Sequence, residues 1–386
     1  MITNNTANTS TTPPAAGKVN VLLVDDSAVI RGALSRIIQK DPEIQIVGSV
    51  SNGELAVMSA KNNRPHVVIL DIEMPVMDGL TALPKILEAS PKTKVVMFSS
   101  LTEKGASVTM KALALGAVEC IVKPTTTQST DEGSEFQKTL LTTTKNLVSA
   151  EERATPMPSS PGPSPMSVMT TAVPLPPANR TPYKLYDDRL SYKGKPDLIA
   201  IGSSTGGPQA LFELLKSFKN FDIPTIITQH MPATFTKILA QHIQQQTGVP
   251  AFEGQEGMEI EKGKIYVAQG GFHMRLAREG DKTIVHLDNG PQINFCKPAV
   301  DPMFMSALAI YGKKILGVML TGMGSDGLDG TRALVQAGCR MIAQDEATSV
   351  VWGMPGAVAK AGLCSAVLPL QDMGPWVRQA VTGRSG

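Results

Sequence analysis

The sequence is poor in the residues that mark several common classes of site. Its 386 residues include four cysteines, none of them in a Cys-x-x-Cys pair. This spacing predicts neither a disulfide framework nor a zinc site. Aromatic residues make up 4% of the chain, the formal net charge is +2, and no basic stripe with interleaved aromatics is present. The composition therefore argues against a nucleic-acid-binding protein.

Long apolar runs are also missing. No run is long enough to span a bilayer, so the sequence predicts no insertion into a membrane. Residues 1–18 are mainly Thr, Asn, Ala and Pro without an apolar core, which is typical of a disordered tail rather than a signal peptide. We expect a cytoplasmic protein.

The first half alternates short apolar runs with segments of helical periodicity. This order predicts a parallel sheet with helices on both faces, a doubly wound α/β domain. The predicted strands are 21–24, 44–50, 67–70, 94–98 and 118–122.

Polar residues follow these strands where each one ends. Because the carboxyl ends of parallel strands share one edge of the sheet, these residues should meet there; they are Asp25, Asp26, Asp71, Ser99 and Lys123. Each Asp alone is adequately explained as a helix cap or a turn residue. Three carboxylates together repel one another unless a cation neutralises them, and oxygen-rich sites with open positions suit Mg²⁺. A carboxylate beside Mg²⁺ can accept a phosphoryl group.

These segments resemble the signature of response-regulator receiver domains. The matching pieces are LVDDS at 23–27, DIEMPVMDG at 71–79 and KP at 123–124. The resemblance implies a flavodoxin-like fold in which Asp71 accepts phosphate from a histidine kinase. It also implies a set of Mg²⁺ ligands and switch residues: Asp25 (through water), Asp26, Asp71 and the Glu73 carbonyl for the ion, Ser99 as the switching hydroxyl, and Lys123 as the phosphate-bonding lysine.

One position departs from the receiver pattern. The residue three before the lysine is usually aromatic, but here it is Cys120. An aromatic switch is therefore not expected. His66, which opens the third strand beside Pro65, is expected at the surface.

The middle of the chain is rich in Pro, Ser and Thr and has no hydrophobic period. This composition predicts a linker over 150–194, between domains at 19–149 and 195–386. An amphipathic last helix of the first domain is expected around Phe136 and Leu147.

The second half is organised around a glycine turn after an apolar strand. Leu198 to Ile201 reads as a buried strand, and helical spacing resumes at Leu211. Ser203 and Ser204 lie between them. A hydroxyl at this place can act as a nucleophile whose oxyanion the helix dipole stabilises. On the turn alone, a capping serine or a phosphate cradle is the favoured interpretation, because capping serines far outnumber nucleophiles.

A nucleophilic serine needs a base and an acid that orients it. The strand at 223–228 runs directly into His230, and the strand at 315–320 into a loop with Asp326. These two residues should share the carboxyl edge of a parallel sheet with Ser204. We place His230 first because it directly ends its strand. His273, after the strand at 265–268, is the main competitor for the base, whereas His242 and His286 lie away from strand ends. Asp301 and Asp329 compete with Asp326 for the acid.

Residues 197–382 resemble the catalytic domain of the bacterial chemotaxis protein-glutamate methylesterase (CheB) family. The resemblance rests on AIGSSTGG at 200–207, QHMP at 229–232 and LTGMGSDG at 320–327, with further pieces GGFH at 270–273, KPAVD at 297–301 and AQDEATSVVWGMP at 343–355. It implies a Rossmann-like domain with Ser204 as nucleophile, His230 as general base and Asp326 as its partner. Thr205 and Met323 match positions close to the active centre, plausible for the oxyanion site.

The resemblance also implies partners and a reaction. The expected substrates are glutamate methyl esters on methyl-accepting chemoreceptors, with glutamine deamidation as a second activity, and the expected phosphodonor is a CheA-type kinase. It implies Mg²⁺ in the receiver domain and no cofactor in the catalytic domain. A nucleotide-binding module controlled by the receiver is the alternative. A transcriptional regulator would need a basic helix-turn-helix, which the second half lacks.

Overall fold

The computed structural model describes residues 17–100, 102–124, 134–149, 152–153, 183–186 and 191–382, with the side chains of residues 103 and 104 excepted. The predicted tail at 1–18 and linker at 150–194 lie mostly outside the described residues. Among the described helices, none is both long and apolar enough to cross a membrane.

The first domain has a five-stranded sheet with the order β2-β1-β3-β4-β5. Its strands are β1 (Val19–Val24), β2 (Ile44–Val50), β3 (Val67–Asp71), β4 (Lys94–Ser99) and β5 (Glu119–Val122). Its helices are α1 (Ala28–Ile38), α2 (Gly53–Asn63), α3 (Gly79–Ala89), α4 (Glu103–Ala114) and α5 (Glu135–Asn146). The predicted doubly wound parallel fold is confirmed.

The five helices begin in the same way. In each helix, the side chain of a serine, asparagine, aspartate or threonine accepts a hydrogen bond from a backbone N–H of the first turn. These N-caps are Ser27, Asn52, Asp78, Thr102 and Ser134. Such caps satisfy donors that a helix leaves without an internal partner. They fix the starts of the helices and so the ends of the preceding loops.

The expectation that His66 lies at the surface is wrong. The residue is buried, and its Nδ1 accepts a hydrogen bond of 3.0 Å from the backbone N–H of Asn20 on β1. Burial lowers the pKa of His66, which favours the neutral ring that this acceptor role requires. Its place before a strand suggested exposure, but the imidazole extends the pairing between β1 and the chain entering β3.

The second domain has a seven-stranded sheet with the order β14-β13-β12-β6-β7-β9-β8, and a separate hairpin of β10 and β11. The strands are β6 (Leu198–Ser203), β7 (Thr225–Gln229), β8 (Ala251–Glu253), β9 (Ile265–Val267), β10 (His273–Glu279), β11 (Lys282–Asp288), β12 (Ile315–Met319), β13 (Arg340–Gln344) and β14 (Ala366–Leu368). The helices are α6 (Gly207–Leu215), continued by a 3₁₀ turn (Lys216–Phe218), α7 (Ala233–Thr247), α8 (Val300–Tyr311), α9 (Leu328–Gln336), α10 (Met354–Lys360) and α11 (Leu370–Thr382). The seven strands pair in parallel.

The chain just before β6 is held against the second domain. The backbone N–H groups of Tyr186 and Tyr192 donate to the carbonyls of Cys364 and Gly338, each at 2.8 Å. Ser191 between them is buried. This end of the predicted linker therefore has fixed backbone partners in the second domain.

Candidate active site

Three neighbouring strands bring Ser204, His230 and Asp326 to one edge of the second sheet. The central strand β6 pairs with β7 on one side and β12 on the other, with Ser203 opposite Gln229 and Gly202 opposite Met319. Ser204 and His230 follow the ends of their strands directly, and Asp326 lies in the loop after β12. The predicted common edge is confirmed by this strand order.

The two serines of the turn have different surroundings. Ser203 is fully buried, and its hydroxyl donates to Gln229 Oε1 at 2.7 Å. Ser204 is half-buried, and its backbone N–H donates to the Thr321 carbonyl at 3.0 Å. The first hydroxyl is therefore held in the core by Gln229, whereas the second belongs to a residue that stays partly exposed.

Gln229 fixes the spacing between the serine turn and β7. While its Oε1 accepts from Ser203, its Nε2 donates to the carbonyls of Ser204 and His230 at 2.9 and 3.1 Å. A side chain on Gly207 would collide with the Gln229 amide, and Gly206 has a φ of +76° at the start of α6. The glycines thus allow the turn to lie against this amide. Sequence patterns gave no indication of this role for Gln229.

The imidazole of His230 lies 2.8 Å from the carboxylate of Asp326, measured from Nε2 to Oδ2. Asp326 is buried and His230 nearly so. Burial by itself lowers the pKa of His230, but the hydrogen bond to Asp326 and the contact with Cys296 outweigh it and hold that pKa above its ordinary value of 6.5. Burial likewise raises the pKa of Asp326, and the hydrogen bond to His230 reverses the shift, so the net pKa lies below 3.8. The contact between the two groups therefore favours the protonated imidazole and the ionised carboxylate.

Asp326 has two further hydrogen-bond donors that the sequence did not reveal. The backbone N–H of Val300 donates to Oδ2 at 2.6 Å, and Asn294 Nδ2 donates to Oδ1 at 3.1 Å. Asn294 Nδ2 also lies 3.3 Å from Asp301 Oδ2. These donors compensate the buried charge, as a buried carboxylate requires.

The other two candidates for the acid, Asp301 and Asp329, do not contact His230 in the described structure. Asp301 is buried and accepts from the Gly330 N–H at 2.6 Å, in the first turn of α9. Burial, with the nearby charge of Asp326, raises the pKa of Asp301 to about 6. Asp329 is exposed. The acid in contact with His230 is Asp326.

Cys296 is a neighbour of the imidazole that sequence reasoning missed. Its Sγ lies 3.3 Å from His230 Nδ1. The cysteine is far from His230 in the chain and belongs to no recognisable motif, so only the folded structure brings the two together. The two imidazole nitrogens thus face Asp326 and Cys296.

The rival histidines lie elsewhere. His273 is buried at the start of β10, where Nε2 lies 2.8 Å from the Pro291 carbonyl and Nδ1 accepts from the Ala299 N–H at 3.1 Å. His242 is in α7, and His286 on β11 pairs with Glu256 at 3.0 Å.

Thr205 and Met323 flank the three residues in the chain. Thr205 is buried, and its carbonyl accepts from the Thr321 hydroxyl at 2.9 Å. Met323 is half-buried in the loop after β12. Their suggested part in an oxyanion site stays a prediction.

In the first domain, Asp25, Asp26 and Asp71 bring carboxylate oxygens within 4.8 Å of one another. Asp25 and Asp71 are buried, and Asp26 is exposed. A side chain on Gly79 would collide with the Asp71 carbonyl, so glycine is required for the close turn of the loop after β3. A set of clustered carboxylates with one open side fits Mg²⁺.

The other predicted receiver residues lie at or beyond strand ends. Ser99 is buried at the end of β4, Lys123 follows β5 with its ammonium 5.4 Å from the Phe98 ring centroid, and Glu73 is exposed in the loop after β3. Cys120 Sγ lies 3.9 Å from the Thr109 hydroxyl, and burial raises the pKa of this thiol to about 12. The thiol is therefore protonated at neutral pH.

Comparison with known proteins gives two family matches, one for each domain. Residues 21–132 match the response regulator receiver domain, and residues 199–377 match the CheB methylesterase. Both matches agree with the sheets described above.

Relatives cover almost the whole chain. A protein of Paramagnetospirillum magneticum named protein-glutamate methylesterase/protein-glutamine glutaminase 1 is 49% identical over 96% of this chain and 98% of its own. One from Rhodospirillum rubrum with the same name is 46% identical over 98% and 99%, and one from Azospirillum brasilense named protein-glutamate methylesterase/protein-glutamine glutaminase is 48% identical over 94% and 92%. With this identity over nearly its full length, the chain belongs to the CheB family of receiver-controlled protein-glutamate methylesterases.

Proposed function

We propose that the protein is a serine hydrolase that removes methyl groups from glutamate methyl esters of chemoreceptors and releases methanol. The observation that carries the proposal is the contact of 2.8 Å between His230 and Asp326 at the strand end next to the accessible Ser204. The names of the relatives support this substrate class. In this proposal the methyl esters lie on the cytoplasmic parts of the receptors, and the enzyme therefore acts in the cytoplasm.

The reaction proceeds through an acyl-enzyme. Ser204 Oγ attacks the ester carbonyl while its proton passes to His230, and the carbonyl oxygen becomes an oxyanion. Collapse of this intermediate expels the methoxy group, which takes the proton from His230 and leaves as methanol. Water then attacks the acyl-enzyme through the same base, which releases the glutamate carboxylate and restores the Ser204 hydroxyl.

Nδ1 is the imidazole nitrogen that accepts the serine proton in this scheme, because Nε2 is held by Asp326. Nδ1 faces Cys296 in the resting structure. The raised pKa of His230 means that the base must lose a proton before attack. The rate therefore rises with pH through the pKa of His230.

The start of α6 is suited to the oxyanion. The helix begins at Gly207, three residues after Ser204, and the positive end of a helix dipole favours developing negative charge. Thr205 and Met323 border this region. We expect no cofactor in the catalytic domain, since Ser204 and His230 supply the nucleophile and the base.

The same groups accommodate deamidation of glutamine. An amide carbonyl is attacked in the same way, with ammonia as the leaving group, and the product is again glutamate. The second activity in the names of the relatives agrees with this route.

The receiver domain supplies the control. A CheA-type histidine kinase donates a phosphoryl group to Asp71. Asp26, Asp71 and the Glu73 carbonyl would hold Mg²⁺ for this transfer, with help from Asp25. Bound Mg²⁺ would offset the charge of these carboxylates and of the incoming phosphoryl oxygens. Phosphorylation replaces the single negative charge of the Asp71 carboxylate with the charge of about −1.5 to −2 of a phosphoryl group. We expect Ser99 and Lys123 to be the residues that respond.

Methanol release tests the proposal. Receptor-containing membranes are methylated with a labelled methyl donor, and release of label by the full-length protein is measured with and without an acyl-phosphate donor and Mg²⁺. We expect release that the phosphodonor stimulates. Absence of release under both conditions, with saturable binding of a nucleotide instead, would favour a binding module over an esterase.

A further inference from the structure

The segment from Ile293 to Cys296 forms a tight turn next to the catalytic groups. Ile293 and Cys296 exchange two backbone hydrogen bonds, of 3.1 and 2.8 Å. The two residues between them have positive φ angles, +51° for Asn294 and +62° for Phe295. This is the backbone of a two-residue turn that is usually built from Asn-Gly, because positive φ is unfavourable for residues with a Cβ.

Phenylalanine is an unusual choice at the second of these positions. Glycine would avoid the steric cost there, and the Phe295 ring obtains no compensating burial because it is 94% exposed. It is the most exposed large apolar side chain in the described part of the sequence. The other described phenylalanines of this domain are buried, apart from Phe272, which is half-buried, and Phe252 at 38%. Neither the backbone nor the core of the fold explains the ring.

Both neighbours of Phe295 hold the catalytic pair. Asn294 Nδ2 donates to Asp326 Oδ1 at 3.1 Å, and Cys296 Sγ lies 3.3 Å from His230 Nδ1. Consecutive Cα atoms are about 3.8 Å apart, so the backbone of Phe295 lies within one residue of side chains that contact His230 and Asp326. These contacts on both sides hold the backbone of Phe295 in place next to the catalytic pair.

We propose that Phe295 is a specificity residue that contacts the protein substrate. Its ring packs against an apolar side chain next to the esterified glutamate and so holds the receptor surface over Ser204. The inference rests on the proposed function, because it takes the substrate to be a protein. A rigid, exposed aromatic ring provides contact area at low entropic cost, and aromatic residues often dominate the energy of protein interfaces.

A small ester cannot use this contact. It fills the space at Ser204, whereas the ring lies at the tip of the turn and faces solvent. Loss of the ring should therefore weaken only the binding of substrates that extend beyond the ester. This difference separates a role in recognition from damage to the catalytic pair.

The test compares two substrates and three variants. F295G and F295N both remove the ring and tolerate positive φ, and F295Y keeps the ring. For a methylated receptor fragment, we expect F295G and F295N to raise KM about 10- to 30-fold with kcat nearly unchanged, and F295Y to behave like the wild type. For a blocked glutamate methyl ester of low molecular weight, kcat/KM of the three variants should stay within about 2-fold of the wild type.

Phe252 on the edge strand β8 provides the matched control. It is the next most exposed of the described phenylalanines of this domain, and F252A should change neither substrate's kinetics. An unchanged KM for the receptor fragment in F295G would overturn the inference, and so would an equal loss on both substrates. If the wild type hydrolyses neither substrate, the proposed function itself fails.

A second copy of this chain is the alternative binding partner for the Phe295 ring. Sedimentation of the wild type and F295G decides between them. A dimer that F295G dissociates without any change in KM would overturn a role in substrate recognition. We expect the same sedimentation coefficient for both proteins.

Discussion

The two sheets carry polar residues at the same place, the carboxyl end of parallel strands, but the surroundings give these residues different chemistry. In the receiver domain, Asp25, Asp26 and Asp71 gather with one another. In the catalytic domain, Asp326 gathers with an imidazole and with two hydrogen-bond donors. The first arrangement calls for a metal cation, whereas in the second the carboxylate is paired with an imidazole whose pKa it raises. The position in the fold thus determines where chemistry occurs, and the neighbours determine which chemistry.

The largest expected effect separates the two serines of the catalytic edge. S204A should reduce methanol release by on the order of 10⁴- to 10⁶-fold, because the nucleophile is lost. S203A removes a hydroxyl that only bonds Gln229, and it should keep activity within about 10-fold. Steady-state methanol release and a circular dichroism spectrum of each variant check this. Equal losses in both variants would contradict the assignment.

The next effect concerns the charge beside the imidazole. D326N should lower kcat by about 10³- to 10⁴-fold, since the base loses its orienting partner. It should also move the acid limb of the pH profile of kcat/KM to lower pH, because the carboxylate holds the pKa of His230 above its ordinary value. D329N, which changes an exposed carboxylate, is the control and should leave the limb in place. A shift of the acid limb to higher pH in D326N would contradict this electrostatic account.

A smaller effect tests the receiver edge. D71N should abolish the stimulation by an acyl-phosphate donor, which we expect to be about 5- to 150-fold in the wild type, and should leave the unstimulated rate unchanged. Asp78 lies on the same loop but caps α3 through the Thr81 N–H at 2.7 Å, so D78N should retain stimulation. Stimulation that persists in D71N would place the phosphoacceptor elsewhere.

The smallest effect is on stability. D78A removes the cap of α3 and should lower the free energy of unfolding of the receiver by about 0.5–2 kcal/mol, with stimulation retained. Urea denaturation of the full-length protein, followed through a probe in the receiver, measures the change. A loss of stimulation in D78A without a loss of stability would assign Asp78 to signalling instead of capping.

The fold and the common sheet edge of the three catalytic candidates could be predicted because they depend on local patterns, whereas the choice of Ser204 over Ser203 came from the family resemblance. Apolar strands that end in polar residues identify the sheet edges, and parallel pairing then brings distant residues such as Ser204 and Asp326 to one edge. The residues that contact and position the His230–Asp326 pair could not be predicted. Asn294 and Cys296 reach Asp326 and His230 through a turn of the chain whose path depends on tertiary packing. The error at His66 has a similar cause, because its role as acceptor for Asn20 depends on a neighbouring strand.

The most direct test of the account is covalent trapping of the nucleophile. The full-length protein is treated with a serine-directed phosphonate, digested, and mapped by tandem mass spectrometry, with H230Q as a parallel sample. We predict a single modification on Ser204 in the wild type and a strongly reduced yield in H230Q. Modification of Ser203, or equal labelling of Ser204 in both proteins, would contradict a nucleophile activated by His230.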